Sequence, residues 1–578
     1  MLKKVLFIVF LIFIFALLYL NNNFQIIVFG ISIFLIGMLF MEDGFKGFSG
    51  GYLENIIEKS TSNLFKSIST GILTTSVIQS SSLISIIVIS FLGAGLISLS
   101  GAIGVIFGSN IGTTTTAWIV SYFGVKINIS TFAMPMLIFG VIFKFTSHKT
   151  LNAFGFILMG LGFVFLGINY MKDGFETLKE GLNLASFAME GSLGLIVYVL
   201  IGMFATIIIQ SSSATLALII TALATNQIIY INALELAIGA NIGTTITAVM
   251  GALASNENGK RLAVAHFIFN FVTAIFAIIF LNQLASLVLE ISNFVGLQKD
   301  DYIMQLAIFH TLFNIIGVIL VAPFTSKLVK FLETLFIKTI DENVEKSIYL
   351  EHNHKDIPNI AMIALIKELE RLYDNSIEVI SHSLNLHRHD IFGKDHLGRI
   401  IKSKNDFIQT DVDDFYNKKI KSLYSDIMYY ATIYEQNMDF NQKREVSKIK
   451  FACRDLVEAV KDVKYLQKNI NKYFKSPNIN IHKQYNKLRI NIASMIVLID
   501  KIKNSENKAE YNEQLEKSKR RLDKIDYIKN RKIDKLIRNN MIDSSMATSL
   551  INDSKYSVDI SKRISNVAQI LSLKRKYL

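Results

Sequence analysis

The tetrapeptide Gln-Ser-Ser-Ser occurs twice in this chain, at residues 79–82 and 210–213, each time within a strongly apolar stretch. The two copies are 131 residues apart. A glycine-asparagine-threonine motif follows each copy at the same distance, at residues 108–116 and 239–247, so that eleven identities share one offset. Whatever fold the chain adopts has to accommodate two equivalent polar sites within apolar surroundings.

Close helix packing alone does not explain this duplication. Gly, Ser and Thr let transmembrane helices approach each other, and a single serine cluster would have that explanation. Gln and Asn are bulky and gain nothing from close packing, yet both are duplicated. Polar side chains at membrane depth have to face protein or water. We therefore interpret the repeated motifs as a functional site.

Composition divides the chain of 578 residues into two parts. Hydrophobic residues make up 51% of the chain, which predicts a protein that is partly embedded in a membrane. Residues 1–325 carry 13 basic and 13 acidic side chains, so the whole net charge of +13 lies in the C-terminal part. Lys and Arg accumulate on cytoplasmic segments, which predicts a cytoplasmic C-terminal part in preference to nucleic-acid binding.

The apolar stretches predict an all-α, polytopic transmembrane domain over residues 1–325, with repeat one at about 25–155 and repeat two at about 156–325. An apolar segment at residues 5–20 lacks a small-residue cleavage site, which predicts a retained helix. The other predicted helices or apolar runs lie at about residues 24–41, 67–92, 131–145, 151–170, 193–225, 233–254, 262–281 and 303–321.

The duplication extends to the N-terminal side of the glutamines. Met-Glu-Asp-Gly-Phe at residues 41–45 is echoed by Met-Lys-Asp-Gly-Phe at residues 171–175, with an offset of 130. An Asp-Gly pair at the end of an apolar helix is typical of a membrane exit, so we interpret Asp43 and Asp173 as structural.

The character of the chain changes after Pro323. Residues 326–350 are predicted as a connecting amphipathic helix, and residues 351–578 as a soluble helical domain. Apolar residues recur at helical spacing from Ile363 to Leu384, which is typical of a helix in a bundle.

The chemistry of the repeated motifs favours small ions over a covalent reaction. Hydroxyl and amide oxygens are neutral ligands that suit an alkali cation, and the free N–H groups at a broken helix suit an oxyanion. Neither motif contains Arg or Lys, so co-bound cations are the expected source of compensating charge. Two such copies are typical of transporters that build one midplane site from two halves. The residues thus predict cation-coupled anion transport without enzymatic activity.

Other polar residues of this part have less specific interpretations. His266 with Asn270, and His310 with Asn314, share a helix face at i and i+4 spacing. They could orient the site, relay protons or form helix-to-helix hydrogen bonds. Glu235 is interpreted as interfacial.

These residues resemble the type II sodium/phosphate cotransporters and their bacterial relatives, whose hallmark is a Gln-Ser-Ser motif in each of two inverted repeats. The resemblance covers roughly residues 25–325 and implies sodium-driven import of inorganic phosphate, with sodium as the transported ion and no organic cofactor. It also implies re-entrant hairpins and broken helices. The implied hairpin ligands are Gln79, Ser80, Ser81, Ser82, Gln210, Ser211, Ser212 and Ser213. The implied residues on the adjoining helices are Asn110, Thr113, Thr114, Asn241, Thr244 and Thr245.

The C-terminal domain resembles the PhoU-like domain that many bacterial members carry, which implies a cytoplasmic regulator or sensor. Two i,i+4 acidic pairs resemble the metal motif of that fold, although such pairs also occur on solvated helix faces. The pairs are Glu370 with Asp374 and Glu458 with Asp462.

Three other functions compete with sodium/phosphate symport. The chain could carry another anion or couple to another ion, because neutral ligands encode substrate identity weakly. It could be a membrane phosphate sensor or receptor. An intramembrane hydrolase using a serine with His266 or His310 is disfavoured, because neither serine cluster has a nucleophile-elbow context. The expected partners are inorganic phosphate, sodium and the lipid bilayer of the inner membrane, with a homodimer left open.

Overall fold

The computed structural model of the protein describes most of the chain in two compact units, Met1–Lys338 and Thr339–Leu578. The predicted helix at residues 5–20 lies outside the described residues except for residue 19, and parts of the predicted connecting helix also lie outside them. The described residues are 19, 22–49, 56–57, 60–126, 130–181, 184–189, 191–253, 255–336, 344–350, 358–393, 396–404, 407–504, 508–522 and 531–571. Over these residues the chain is helical and has no β-strand.

Unit 1 consists of helices connected by short loops. They are α1 (Asn22–Ser49), α2 (Leu64–Ile78), α3 (Ser81–Gly93), α4 (Leu99–Trp118), α5 (Ser130–Lys144), α6 (Lys149–Gly181), α7 (Gly191–Ile209), α8 (Ser212–Ala224), α9 (Tyr230–Gly243), α10 (Thr245–Leu253), α11 (Glu257–Ile279), α12 (Leu281–Phe294), α13 (Tyr302–Val321) and α14 (Thr325–Thr334). A π-helical turn, Ile119–Lys126, extends α4.

The structure confirms a polytopic helical membrane protein. Seven helical segments in the described residues are long and apolar enough to span a bilayer. Two predicted continuous runs are instead broken at the glutamines, into α2 with α3 and α7 with α8. The 15 residues of α2 and the 13 of α3 reach about 22 and 20 Å, which is less than a hydrocarbon core of about 30 Å.

Helices α1 and α6 pack antiparallel along a stripe of glycines. A Cβ atom on Gly30 would lie 2.8 Å from Gly167 O, and one on Gly37 would lie 2.7 Å from Gly160 O. These contacts leave no room for side chains, so the backbones touch. Since α6 repeats the end of α1 at an offset of 130, the two equivalent helices run in opposite directions.

Helices α2 and α4 pack parallel and equally closely. A Cβ atom on Gly108 would lie 1.9 Å from Ile68 O, and one on Gly112 would lie 2.7 Å from Ile72 O. At the start of α4, a Cβ atom on Gly101 would lie 3.1 Å from Thr61 O, just before α2. The chain therefore turns at Gln79, runs back along α3, and starts α4 where α2 started.

The second repeat uses the same contacts between α7 and α9. A Cβ atom on Gly239 would lie 2.0 Å from Val199 O, and one on Gly243 would lie 2.5 Å from Met203 O. All four residues lie 131 positions after their counterparts in α2 and α4. The duplicated glycines thus explain why the two repeats adopt one local fold.

Unit 2 is a bundle of amphipathic helices around one core. Its longer helices are α15 (Pro358–Ser383), α16 (Lys421–Tyr434), α17 (Phe440–Phe474), α18 (Ile479–Asn504), α19 (Lys508–Leu522) and α20 (Ser544–Leu571). The predicted apolar face of α15 is buried, and the core includes Cys453, the only cysteine of the chain.

Candidate functional site

The first Gln-Ser-Ser-Ser motif forms the turn between α2 and α3, which we call the first turn (residues 79–82). Gln79 ends α2 in the left-handed conformation, with φ +61°, and donates its backbone N–H to Thr75 O at 2.8 Å. Ser80 is the N-cap of α3, and its hydroxyl oxygen accepts from Leu83 N at 3.2 Å. A left-handed non-glycine residue is uncommon and is found where the surroundings enforce it.

The second motif forms a matching second turn (residues 210–213) between α7 and α8. Gln210 has φ +57° and donates its backbone N–H to Thr206 O at 2.7 Å. Ser211 Oγ accepts from Ala214 N at 3.2 Å. Every partner lies 131 residues after its counterpart, so the sequence repeat is also a repeat of backbone structure.

The side chain of Gln79 is buried and fully engaged. Its Nε2 donates to Thr115 Oγ1 at 2.7 Å and to the backbone oxygen of Ser76, while its Oε1 accepts from Thr116 Oγ1 at 2.8 Å. The first turn and the threonine end of α4 are therefore joined by side-chain hydrogen bonds, which explains the fixed spacing of the two motifs.

Thr116 also joins the two repeats. Its Oγ1 lies 3.2 Å from Ser213 Oγ, with both hydroxyls buried. A continuous path of hydrogen bonds therefore leads from Gln79 in repeat one to Ser213 in repeat two. The two predicted halves of the site meet at this point.

Gln210 differs from Gln79 in its surroundings. Its side chain is exposed, and its Nε2 has a weak contact of 3.9 Å with Met250 Sδ. Ile246 stands where repeat one has Thr115, and Thr247 Oγ1 donates to Thr244 O at 2.9 Å. The structure thus leaves the amide of Gln210 apart from the other ligands.

The predicted threonines of the second motifs lie on α4 and at the junction of α9 and α10. Each donates its hydroxyl to a backbone carbonyl three or four residues earlier in the chain. The bonds are Thr113 to Ser109 O at 2.9 Å, Thr114 to Ile111 O at 2.7 Å, Thr244 to Ala240 O at 3.0 Å and Thr245 to Ile242 O at 2.8 Å. Their hydroxyl oxygens keep lone pairs that can accept a proton or bind a cation.

The two asparagines of these motifs have different partners. Asn110 Nδ2 donates to Ile106 O within α4, at 3.0 Å. Asn241 belongs to a buried amide cluster with Asn270 of α11 and Asn314 of α13, at Nδ2–Oδ1 distances of 3.4 and 3.5 Å. Asn270 also donates to Asn241 O at 2.9 Å. Asn270 and Asn314 therefore join α11 and α13 to α9 by helix-to-helix hydrogen bonds, which were one of the predicted roles of the two His-Asn pairs.

His266 of α11 and His310 of α13 are also buried, and each stands four residues before an asparagine of this cluster. Neither ring nitrogen of His266, nor Nδ1 of His310, has a hydrogen-bond partner among the described residues. The carboxylate of Glu235 lies within the protein, because it is 5% exposed and accepts from Asn232 Nδ2 at 2.9 Å. Its interfacial depth in the membrane stays a prediction.

Glu42 is a site residue that motif analysis missed. Its Oε2 accepts from Ser80 Oγ at 2.9 Å, and its Oε1 accepts from Lys46 Nζ at 2.8 Å. The signal was present in the echoed Met-x-Asp-Gly-Phe phrases, because the variable position is Glu42 in one copy and Lys172 in the other. The charge at this position is therefore reversed between the two copies of the repeat.

Three of the four side chains in the acidic pairs of unit 2, Asp374, Glu458 and Asp462, form ion pairs with basic side chains. Asp374 lies 3.0 Å from Arg388 and 3.1 Å from Lys503. Glu458 pairs with Lys461 at 2.9 Å, and Asp462 pairs with Arg563 at 3.1 Å. Among the residues with described positions, no group of three or more His, Cys, Asp or Glu side chains could hold a metal ion. Metal binding by these pairs stays a prediction.

Comparisons with known proteins point to one family. The Na+/Pi-cotransporter family model matches residues 33–173 and 187–298. "Uncharacterized protein YqeW" of Bacillus subtilis is 29% identical over 305 residues, which cover 53% of this chain and 95% of that protein.

Two further relatives are each named "Putative inorganic phosphate export protein YjbB". The Salmonella typhimurium protein is 26% identical over 60% of this chain and 62% of its own length. The Escherichia coli protein is 26% identical over 61% of this chain and 63% of its own length. The chain thus spans less than two thirds of either YjbB protein. No solved structure matches the chain significantly.

Proposed function

We propose that this chain, whose residues 33–173 and 187–298 match the Na+/Pi-cotransporter family model, moves inorganic phosphate across a membrane together with sodium ions. The observation that carries the proposal is the hydrogen-bonded path from Gln79 through Thr116 to Ser213. It joins two equivalent polar turns, one from each repeat, through buried side chains of the polytopic unit.

The ligand set suits both ions. Hydroxyl and amide oxygens bind an alkali cation, while the N–H groups at the starts of α3 and α8 favour an oxyanion. Neither turn contains a basic residue. Sodium bound beside phosphate therefore supplies the charge compensation that lets the anion enter a site of low dielectric.

Alternating access follows from an inverted repeat, and two contacts support that arrangement. Helices α1 and α6 are equivalent by sequence and pack antiparallel through Gly30, Gly37 and their partners. Helices α2 and α3 are short, and the chain returns to its starting level before α4 begins. We infer re-entrant hairpins that carry the two turns to the bilayer midplane.

The direction of transport is set by the sodium gradient in a symporter. An inwardly directed gradient drives import, which is the direction that we propose. Export is a second candidate, because the YjbB relatives carry that word in their names. The proposed location is the inner membrane, with unit 2 on the cytoplasmic side as a regulator.

Radiolabelled phosphate in proteoliposomes tests this function. We expect phosphate to accumulate when sodium is higher outside, and to leave preloaded vesicles when sodium is higher inside. Replacing sodium by choline should abolish both movements. Phosphate binding without sodium-dependent accumulation would favour a receptor, and movement against the sodium gradient would contradict symport.

Truncation tests the proposed role of unit 2. A chain that ends at about residue 345 should still transport phosphate, with altered control by external phosphate supply. Loss of all transport by a correctly inserted truncated protein would contradict a purely regulatory role.

A further inference from the structure

We infer that Glu42 is a binding residue of the first turn and makes that turn the cation-selective half of the paired site. The inference rests on the proposed function and assigns its two ions to different turns. Sodium, or another small monovalent cation, is the ligand class of the first turn, and the phosphate oxyanion is the ligand class of the second.

Glu42 supplies the negative charge that the motif itself lacks. Its Oε2 accepts a hydrogen bond from the hydroxyl of Ser80 at 2.9 Å, while the oxygen of that hydroxyl accepts a hydrogen bond from Leu83 N. The carboxylate therefore lies at the N-terminus of α3, where an oxyanion would otherwise be favoured. A second anion at this position would meet like-charge repulsion.

The side-chain amide donors of the first turn are already engaged. Gln79 Nε2 donates to Ser76 O and Thr115 Oγ1, so both of its N–H groups have acceptors. An oxyanion requires donors, whereas a cation requires oxygen atoms with lone pairs. The carboxylate of Glu42 and the hydroxyls around it meet the second requirement.

The second turn has the opposite character. In the sequence repeat, the position equivalent to Glu42 is Lys172 and the one equivalent to Lys46 is Glu176, so the charges of this i,i+4 pair are reversed. Among the described residues, no hydrogen bond joins Lys172 or Glu176 to the second turn. The amide of Gln210 is exposed, with only a weak sulfur contact. Within the described part of the chain, no carboxylate contacts Ser211. This turn keeps its donors for an oxyanion.

Lys46 is a competitor for the same carboxylate. Its Nζ lies 2.8 Å from Glu42 Oε1, and its side chain is 47% exposed. An exposed ion pair of this kind is weak, so a cation bound between Glu42 and Ser80 can displace the ammonium group. Removing Lys46 should therefore strengthen cation binding, which is the opposite of the effect of removing Glu42.

Glu235 is the rival carboxylate in the helical core. It lies on α9 and is engaged by Asn232 Nδ2 at 2.9 Å. No hydrogen bond joins it to a residue of either turn among the described residues. The contact with Ser80 distinguishes Glu42 from it.

A native reporter makes this inference testable in the intact protein. Trp118 is the only tryptophan, and it follows Thr116, the partner of Gln79, by two residues. Its Nε1 donates to Thr311 Oγ1 at 2.9 Å, which fixes the indole in the core. Its fluorescence in detergent-solubilised protein can be followed in separate titrations with sodium chloride and with phosphate, with choline chloride holding the ionic strength.

We expect Glu42→Gln to raise the sodium dissociation constant about tenfold or more, because a charged ligand becomes neutral. Lys46→Gln should lower it. The phosphate dissociation constant at saturating sodium should change by less than about twofold in both variants. Glu176→Gln is the matched control, since it removes the carboxylate of the equivalent ion pair in repeat two and should change neither constant.

Sodium-dependent uptake in proteoliposomes provides the second measurement, and Glu42→Asp provides a variant that keeps the charge. Glu42→Asp should weaken sodium binding less than Glu42→Gln does. The sodium concentration that gives half-maximal uptake should shift, and the corresponding phosphate concentration should not. Unchanged sodium affinity in Glu42→Gln, or equal shifts for sodium and phosphate, would overturn the inference. Absence of sodium-dependent uptake by the wild-type protein would instead refute the proposed function.

Discussion

The first and second turns have one backbone and two environments. Both glutamines end a helix in the left-handed conformation, and both following serines cap the next helix at 3.2 Å. Yet Gln79 is buried in a network with Thr115 and Thr116, while Gln210 is exposed. The two repeats therefore share the glycine contacts and helix caps that set the backbone, while the side-chain partners of the two glutamines differ.

Two substitutions within the repeat account for this divergence. Thr115 corresponds to Ile246, which has no hydroxyl to accept from an amide, and Glu42 corresponds to Lys172. The first change removes an acceptor from the second turn, and the second reverses the charge at the equivalent position of α6. A duplicated site has thereby become an asymmetric one without any change in its helices.

The largest expected effect concerns the part that the repeats share. Gly108→Val and Gly239→Val should each prevent folding, because a Cβ atom at these positions would lie 1.9 and 2.0 Å from a backbone carbonyl oxygen. Size-exclusion chromatography after membrane extraction measures the folded yield.

Gly251→Ala is the control for these variants, since its Cβ atom would meet only side chains, at 3.5 and 3.8 Å. This variant should be recovered normally. If only one of the two valine variants failed to fold, the two repeats would not share their glycine packing.

The next effect separates the two glutamines by stability. Gln79→Ala leaves Thr116 and Thr115 without their amide partner in a buried site and should lower the free energy of unfolding by about 1–3 kcal/mol. Gln210→Ala removes an exposed side chain and should change it by less than about 0.5 kcal/mol. Thermal unfolding followed by Trp118 fluorescence compares them, and equal losses would contradict the asymmetry.

A smaller effect is expected where the two repeats touch. Thr116→Val keeps the shape of the side chain but removes the hydroxyl that joins Gln79 to Ser213, so stability should fall by about 1 kcal/mol and uptake should slow severalfold. Thr247→Val, the equivalent change, removes only a local bond to Thr244 O, three residues earlier in the chain, and should be milder. Equal effects on uptake would mean that the bridge through Thr116 carries no special weight.

We expect unit 2 to have the smallest effect on the two turns. Within unit 2, Asp553 makes the stability of the folded form depend on pH. Burial raises the pKa of this carboxyl to about 6, although Tyr485 OH donates to it at 2.5 Å. The folded form therefore holds a proton that the unfolded chain releases near pH 4. The stabilisation is complete below that pH and is lost as pH rises through about 6.

Between pH 5 and pH 7.5 we expect a loss on the order of 1 kcal/mol from this group, which Asp553→Asn should remove. Labelling of buried Cys453 in the full-length protein measures it, with the rate normalised to that of the denatured chain at each pH. Phosphate uptake should not follow this titration. A matching pH profile in uptake would show that the titration of Asp553 in unit 2 also affects transport by unit 1.

Sequence reasoning reached the repeated elements because identity at a fixed offset survives without a structure. It predicted the membrane helices, the paired motifs and the bundle face from Ile363 to Leu384. It treated residues 67–92 as one apolar run, because hydropathy does not show that a glutamine adopts the left-handed conformation and ends a helix. Tertiary contact, which unites Gln79 with residues 36 and 37 positions later, decides that.

The contacts between distant segments were beyond reach for the same reason. Glu42 meets Ser80 across 38 residues, and Thr116 meets Ser213 across 97. No periodicity links such positions. The non-identical pair Thr115 and Ile246 was visible in the repeat, yet its meaning depends on which side chain reaches Gln79.

Uptake by the two glutamine variants tests whether the two unlike turns form one transport site. Proteoliposomes containing the wild-type protein, Gln79→Ala or Gln210→Ala are compared under the same inward sodium gradient, with radiolabelled phosphate outside. We predict that each single variant, although inserted and folded, falls to the uptake of protein-free vesicles. Near-normal uptake by either variant would show that the two turns do not form one transport site.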